Sequence, residues 1–254
     1  AERNEADHFT LFFSYGDTQL PEIKALNFNA DNAFIIEPSV RHDTISYWLR
    51  DTTLVNQDTL SIAMTYRTTD TLGTLVTQCD TLQLLAKRPY ARRQKDAAKE
   101  YEDWHKKQEK KRKRGQPYDS IMPPKSLQMR INTQSTIEPD RDIIFSFDRP
   151  IAIADTSKIH LYAKQDSLWY DTPLRVRPVS ERIPGDTTRA AILSLRNYEL
   201  RAEWQPDTEY SLELDSMAFV DIYGLVTPPI KQGIKVQSLD EYSSLIFTLS
   251  KQGD

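Results

Sequence analysis

A chain of 254 residues with 39% apolar and 28% charged side chains and a net charge of −4 is long enough for two ordinary domains but lean in core-forming residues. No apolar run reaches the length of a membrane-spanning helix. The single cysteine, Cys79, excludes an internal disulfide and a cysteine-based zinc site.

The charge is unevenly spread. Residues 87–114 hold 13 Lys or Arg against 5 Asp or Glu, leaving 20 against 32 elsewhere, so a basic rod joins two acidic bodies. The first residues, Ala1 to Asp7, lack the basic and apolar regions of a signal peptide.

In chain order, Phe9-Thr-Leu11-Phe-Phe13-Ser-Tyr15 alternates as a strand and ends at Gly16-Asp17. Phe34-Ile-Ile36, Ile45-Ser-Tyr47-Trp-Leu49, Leu60 to Tyr66 and Leu82-Gln-Leu84 follow at intervals suited to a β-sandwich over residues 1–88. Asp-Thr occurs ten times, at Asp17, Asp43, Asp51, Asp58, Asp70, Asp80, Asp155, Asp171, Asp186 and Asp207. An Asp side chain closes a turn on its own backbone and β-branched Thr then opens a strand, so the repeated pair predicts short, tight β connections.

Residues 89–124 read differently. From Arg92 to Lys107 there is no glycine and no β-branched residue, which predicts a helix. Ala97, Tyr101, Trp104 and Gln108 form one thin stripe at helical spacing, and Tyr101 with Trp104 is the predicted contact between helix and domain. Gly115-Gln-Pro117 and Pro123-Pro124 end the segment in an extended linker.

A second sandwich is predicted over 125–238. Its strands are Ile143 to Phe147, Lys158 to Tyr162, Leu174 to Val176, Ala190 to Leu195, the Tyr210 strand and Ile234 to Val236. Trp204-Gln-Pro-Asp-Thr-Glu-Tyr210, then Asp221-Ile-Tyr-Gly224, has a looser counterpart in Asp58 to Met64, then Asp70-Thr-Leu-Gly73. Residues 239–254 are expected to supply the first strand of a following domain. The fold class expected is therefore mainly β, with two antiparallel β-sandwiches joined by a charged helical linker.

Ile143-Ile-Phe-Ser-Phe-Asp148-Arg-Pro150, Trp204-Gln-Pro-Asp-Thr-Glu-Tyr210 and Phe219-Val-Asp-Ile-Tyr-Gly224 resemble the bacterial Ig-like domain first described in surface-layer proteins, over about 110 residues. The whole chain is similar to the central region of Ig-like-domain lipoproteins of Bacteroidetes-type bacteria, through Leu20 to Phe28, Asp43 to Leu49, Gln57 to Leu60 and Lys235 to Tyr242. The resemblance implies Ig-like domains, a cell-envelope location (periplasm or outer-membrane surface), and no catalytic residues or cofactor. It also implies that any membrane attachment comes through an anchor outside this chain. The first sandwich lacks the Trp-x-Pro strand entry, and the chain carries no lipobox cysteine.

Candidate chemistry is sparse. His8, His42, His105 and His160 are far apart, without metal-ligand spacing. No nucleophile elbow or phosphate-cradling glycine loop occurs. A hydrolase would need two carboxylates at fixed separation, and the acids here, such as Asp140, Asp142 and Asp148, fall at turns. Loop carboxylates holding calcium lack a loop signature. The basic run Lys106 to Arg114 has no interleaved aromatics, so nucleic acid is not an expected partner. In Trp169-Tyr170 one ring must face outward if the segment is a strand, and Tyr47-Trp48 poses the same question. Trp169, Tyr170 and Trp48 are therefore the candidate contacts to a glycan or an envelope protein. The leading expectation is a non-enzymatic scaffold, followed by a glycan-binding module and then by a carboxylate-pair hydrolase.

Overall fold

The computed structural model describes residues 2–3, 7–133, 135–187 and 190–241. The protein is mainly β, built from several antiparallel sheets, and it divides into two compact units: residues 1–125 with 180–194, and 126–179 with 195–254.

The first unit holds strands β1 (Glu2–Arg3), β2 (His8–Phe12), β3 (Glu22–Ala25), β4 (Phe34–Pro38) and β5 (Thr44–Leu49). Helix α1 (Thr52–Asn56), strands β6 (Thr59–Thr69) and β7 (Leu75–Ala86), and helix α2 (Tyr90–Lys113) follow. One sheet has the order β1-β7-β6-β3 and the other β2-β5-β4. Along β6, Leu60, Ile62 and Met64 point inward while their neighbours are half-exposed, the period-two pattern of a strand with one wet face. Leu60, Ile62 and Leu84 share one core with Phe9, Ile45, Tyr47 and Leu49 of the other sheet. Each such side chain contributes roughly 1.5–3 kcal/mol by burial.

The second unit holds β8 (Met129–Ile131), β9 (Thr136–Ile137), β10 (Ile143–Phe147), β11 (Ile151–Ala154), β12 (Ile159–Gln165) and β13 (Leu168–Asp171). It continues with most of β14 (Leu174–Glu181) and of β15 (Ile192–Ala202), and with β16 (Glu209–Leu214), β17 (Phe219–Asp221) and β18 (Ile230–Val236). Its sheets run β14-β15-β10-β8 and β13-β12-β16-β18-β9, with β11 paired to β17. Ile143, Phe145 and Phe147 of one sheet and Leu161, Tyr210, Leu212 and Ile234 of the other meet in one core around Phe219. Trp204 lies edge-on to Tyr210 at 5.0 Å. The Tyr210 hydroxyl accepts the Gln205 N–H at 2.8 Å and points back to the Glu203 carbonyl, pinning the strand to the chain just before it.

The two Asp-x-x-Gly segments fold alike. Asp70 Oδ1 accepts the N–H groups of Leu72 and Thr74, and Asp221 Oδ1 those of Tyr223 and Leu225. Gly73 and Gly224 each donate to the carbonyl of their Asp with φ of 79° and 83°, a conformation open mainly to glycine.

Several expectations need correction. Asp51 does not open a strand; it caps α1 by accepting the Thr53 N–H at 2.8 Å. Asp80-Thr81 lies inside β7, not at a corner. Strand β2 ends at Phe12: the Phe13 N–H still donates to the Asp43 carbonyl in register with β5, but Ser14-Tyr15 bends away. Helix α2 falls within the first unit. The strand expected from Tyr242 onward lies outside the described residues; Leu239–Glu241 just before it is a 3-10 turn.

Candidate functional site

The aromatic candidates separate by where their strands sit. Strand β5 is central in its sheet, and both of its faces are covered. Tyr47 stacks on Phe9 at 5.1 Å in the core, while Trp48, on the opposite face, stacks on His8 at 4.1 Å and donates its indole N–H to Glu37 at 2.9 Å. At 2% exposure Trp48 is a packing residue and is withdrawn as a ligand contact. The alternation rule is obeyed, but the outward face carries its own cap.

Trp169 and Tyr170 remain candidates. Strand β13 is the edge of its sheet, paired only with β12 among the described residues. Trp169 is 49% and Tyr170 47% exposed, on opposite faces of the strand, with Leu168 exposed beside them. Lys164, directly across from Trp169, holds its ammonium 6.0 Å from the indole centroid and pairs with Glu209 at 2.5 Å.

Tyr101 and Trp104, the expected helix-to-domain contact, lie on α2. Tyr101 is 53% exposed and Trp104 is half-buried, their rings 6.0 Å apart. The buried side chain of the stripe is Gln108, whose Oε1 accepts the Asp119 N–H at 3.1 Å, and Lys125 reaches Glu100 at 3.0 Å. The chain after the helix therefore folds back along it. The firm anchor lies at the other end. Asp58 accepts the Tyr90 N–H at 2.6 Å, and Arg93 donates to the Val55 carbonyl at 2.8 Å while lying over the Tyr90 ring. Gln108 lies on the stripe that helical spacing marks, but neither Asp58 nor Arg93 is visible as an anchor in the sequence, because each acts on a backbone group chosen by tertiary folding.

A concavity that sequence reasoning missed lies between the end of β2 and the β6–β7 hairpin. Its volume is about 630 Å³, within the range of small-molecule sites, and its walls include Phe12, Tyr15, Asp17, Tyr66, Arg67 and Leu75. Gly16 makes the geometry possible, since a Cβ there would stand 1.6 Å from the Arg41 carbonyl oxygen. Phe12, Tyr15 and Leu75 are exposed at the rim. Asp17 accepts the Gln19 N–H at 3.0 Å and the Arg67 Nε–H at 2.6 Å. The Arg67 guanidinium, with the Gln19 N–H, holds the Asp17 carboxyl down at about 2. A group so acidic stays ionised at neutral pH and cannot serve as a general acid, so the concavity offers flat apolar faces and fixed hydrogen-bonding groups. The sequence signal was present as Tyr15-Gly16-Asp17, but nothing local says that Arg67 returns to it.

The other polar candidates are dispersed. Asp148 pairs with Arg130 at 2.6 Å and Asp142 with Arg201 at 2.9 Å. His8 contacts Asp7, His42 the Asp17 carbonyl, and His160 Asp215. Among the described residues no three His, Cys, Asp or Glu side chains gather around a metal-sized space, and no helix is long and apolar enough to cross a membrane.

No family model and no curated protein matches the chain. Among solved structures, mouse protocadherin-24 EC1-3 aligns at a TM-score of 0.17 and 8% identity, over 94% of this chain and 67% of that one, a likeness too slight to carry an argument.

Proposed function

We propose that the chain is a non-enzymatic tandem Ig-like segment of a bacterial cell-envelope lipoprotein, a spacer and interaction scaffold whose anchor lies outside it. The observation that carries this reading is the division of labour among side chains. Carboxylates are committed to turns, caps and ion pairs, as at Asp17, Asp51, Asp70 and Asp221. Large flat side chains left in solvent include those on the β13 edge and at the rim beside β2, with Tyr90, Tyr101 and Tyr118 exposed on and after α2. Such a surface binds without transforming what it binds. The envelope and lipoprotein elements are supported by the sequence resemblance alone.

The test is a panel of glycoside, ester and peptide substrates together with a glycan array, using the purified chain. The scaffold reading expects neither turnover nor glycan capture, and turnover would overturn it. Recovery of the full-length protein in the cytosolic fraction would overturn the envelope element. A second reading, glycan binding, is favoured by the exposed rings of Trp169 and Tyr15. Glycan capture lost in Trp169→Ala or Tyr15→Ala would establish it in place of the first.

A further inference from the structure

The geometry points to β7 as a self-pairing edge through which two copies of this chain join their sheets. Among the described residues β7 pairs with β6 along its whole length, but on its other side only with β1, at Leu85 and Ala86. From Leu75 to Leu82 that second side meets no strand among the described residues, and Leu75 through Cys79 and Thr81 are exposed.

Two hydrogen bonds at the ends of the hairpin fix the direction of the backbone groups. Asp70 N–H donates to Thr74 O across the turn, and Ala86 N–H donates to Asp58 O, so even-numbered positions face β6. Hydrogen-bonded and non-bonded pairs alternate along an antiparallel ladder, so Leu75, Thr77, Cys79 and Thr81 present their N–H and C=O groups outward.

Natural sheets blunt such edges with lysine, proline, bulges or short length. The second unit does so: β13 has four residues and is followed by Thr172-Pro173, and β8 has three with a central Arg130. The stretch Leu75–Leu82 has neither lysine nor proline, and its one charge is Asp80.

The occupant is a second β7. A two-fold axis requires antiparallel pairing, with the same patch used on both copies. Centring on Cys79 gives the longest overlap before β1 takes over the edge. In that register Thr77 meets Thr81, Val76 meets Leu82, and Asp80 meets Gln78, whose amide already donates to Asp80 within its own strand. Apolar faces apolar, hydroxyl faces hydroxyl, and the lone carboxylate faces an amide donor, so no like charges oppose one another.

Because Cys79 is the only cysteine, a nitroxide attached to it reports on the axis itself. The paired Cys79 backbones would stand about 5.5 Å apart, close enough for the labels to broaden each other's spectra. The expected result is strong dipolar broadening and a sedimenting mass twice 29.4 kDa. Thr81→Pro deletes one outward N–H and leaves the β6 ladder intact, and Thr77→Lys with Thr81→Lys sets like charges opposite each other on the solvent face. Both variants should sediment as monomers with an unchanged far-ultraviolet spectrum; if the proline variant misfolds, the lysine pair decides. A monomeric wild type with a sharp spectrum would overturn the inference. So would a monomer with an immobilised label, showing the edge covered from within its own chain, or a dimer that survives the lysine pair.

Discussion

Tyr47-Trp48 and Trp169-Tyr170 are the same kind of dipeptide on the same kind of element, yet one pair is sealed and the other stands in solvent. The difference is position in the sheet. Strand β5 has β2 and β4 on its two sides, and His8 of β2 covers the indole that alternation sends away from the core. Among the described residues strand β13 has one partner, and both of its rings are about half exposed. Alternation assigns opposite faces to adjacent residues, but neighbouring strands decide whether the outer face is wet.

The contrast can be broken most forcefully at the tryptophans. Trp48→Ala should destabilise the first unit by about 3–5 kcal/mol, from the cavity and the lost indole–Glu37 hydrogen bond, whereas Trp169→Ala should stay within about 0.5 kcal/mol. Urea unfolding of both variants checks this, and similar midpoints would refute it. The two Asp-x-x-Gly turns allow a second comparison. Their hydrogen bonds match, but Asp221 is buried and Asp70 exposed, so Asp221→Ala should cost about 2–3 kcal/mol and Asp70→Ala about 1. Equal losses in thermal melts would show that burial adds nothing to the motif. Next in size, Tyr210→Phe should cost about 1 kcal/mol, because it leaves the Gln205 N–H without its acceptor.

The smallest effect is electrostatic. Asp17 is held near 2 in the folded chain against an ordinary 3.8, so its contribution to stability is complete above the ordinary value and is lost as pH falls from about 4 to about 2. Carboxyl-carbon NMR should show Asp17 titrating near the bottom of that window, and Arg67→Ala should return it toward 3.8. An Asp17 titration unchanged in Arg67→Ala would remove the ion pair from the account.

Much of the local β structure was legible because period-two alternation and turn chemistry act within a few residues. Leu60-Ser-Ile62-Ala-Met64 and Ile143-Ile-Phe-Ser-Phe147 lie inside strands, and both Asp-x-x-Gly segments are turns. Asp-Thr was less informative than it looked. Its carboxylate accepts a nearby N–H equally well at the start of a helix, as at Asp51, and a β-branched Thr also suits mid-strand, as at Thr81. Of the concavity beside β2 only the Tyr15-Gly16-Asp17 corner was legible, since Asp17 and Arg67 are 50 residues apart and meet only once β6 is folded. The same holds for the anchoring of α2 by Asp58 and Arg93.

Acrylamide quenching of variants that keep one tryptophan tests the central claim most directly, namely that a ring on an edge strand stands in solvent while the ring that alternation sends outward from a central strand is packed. A chain retaining Trp169, with the other three changed to Phe, should be quenched several-fold more efficiently than one retaining Trp48. Equal quenching of the two, or stronger quenching of Trp48, would contradict the account.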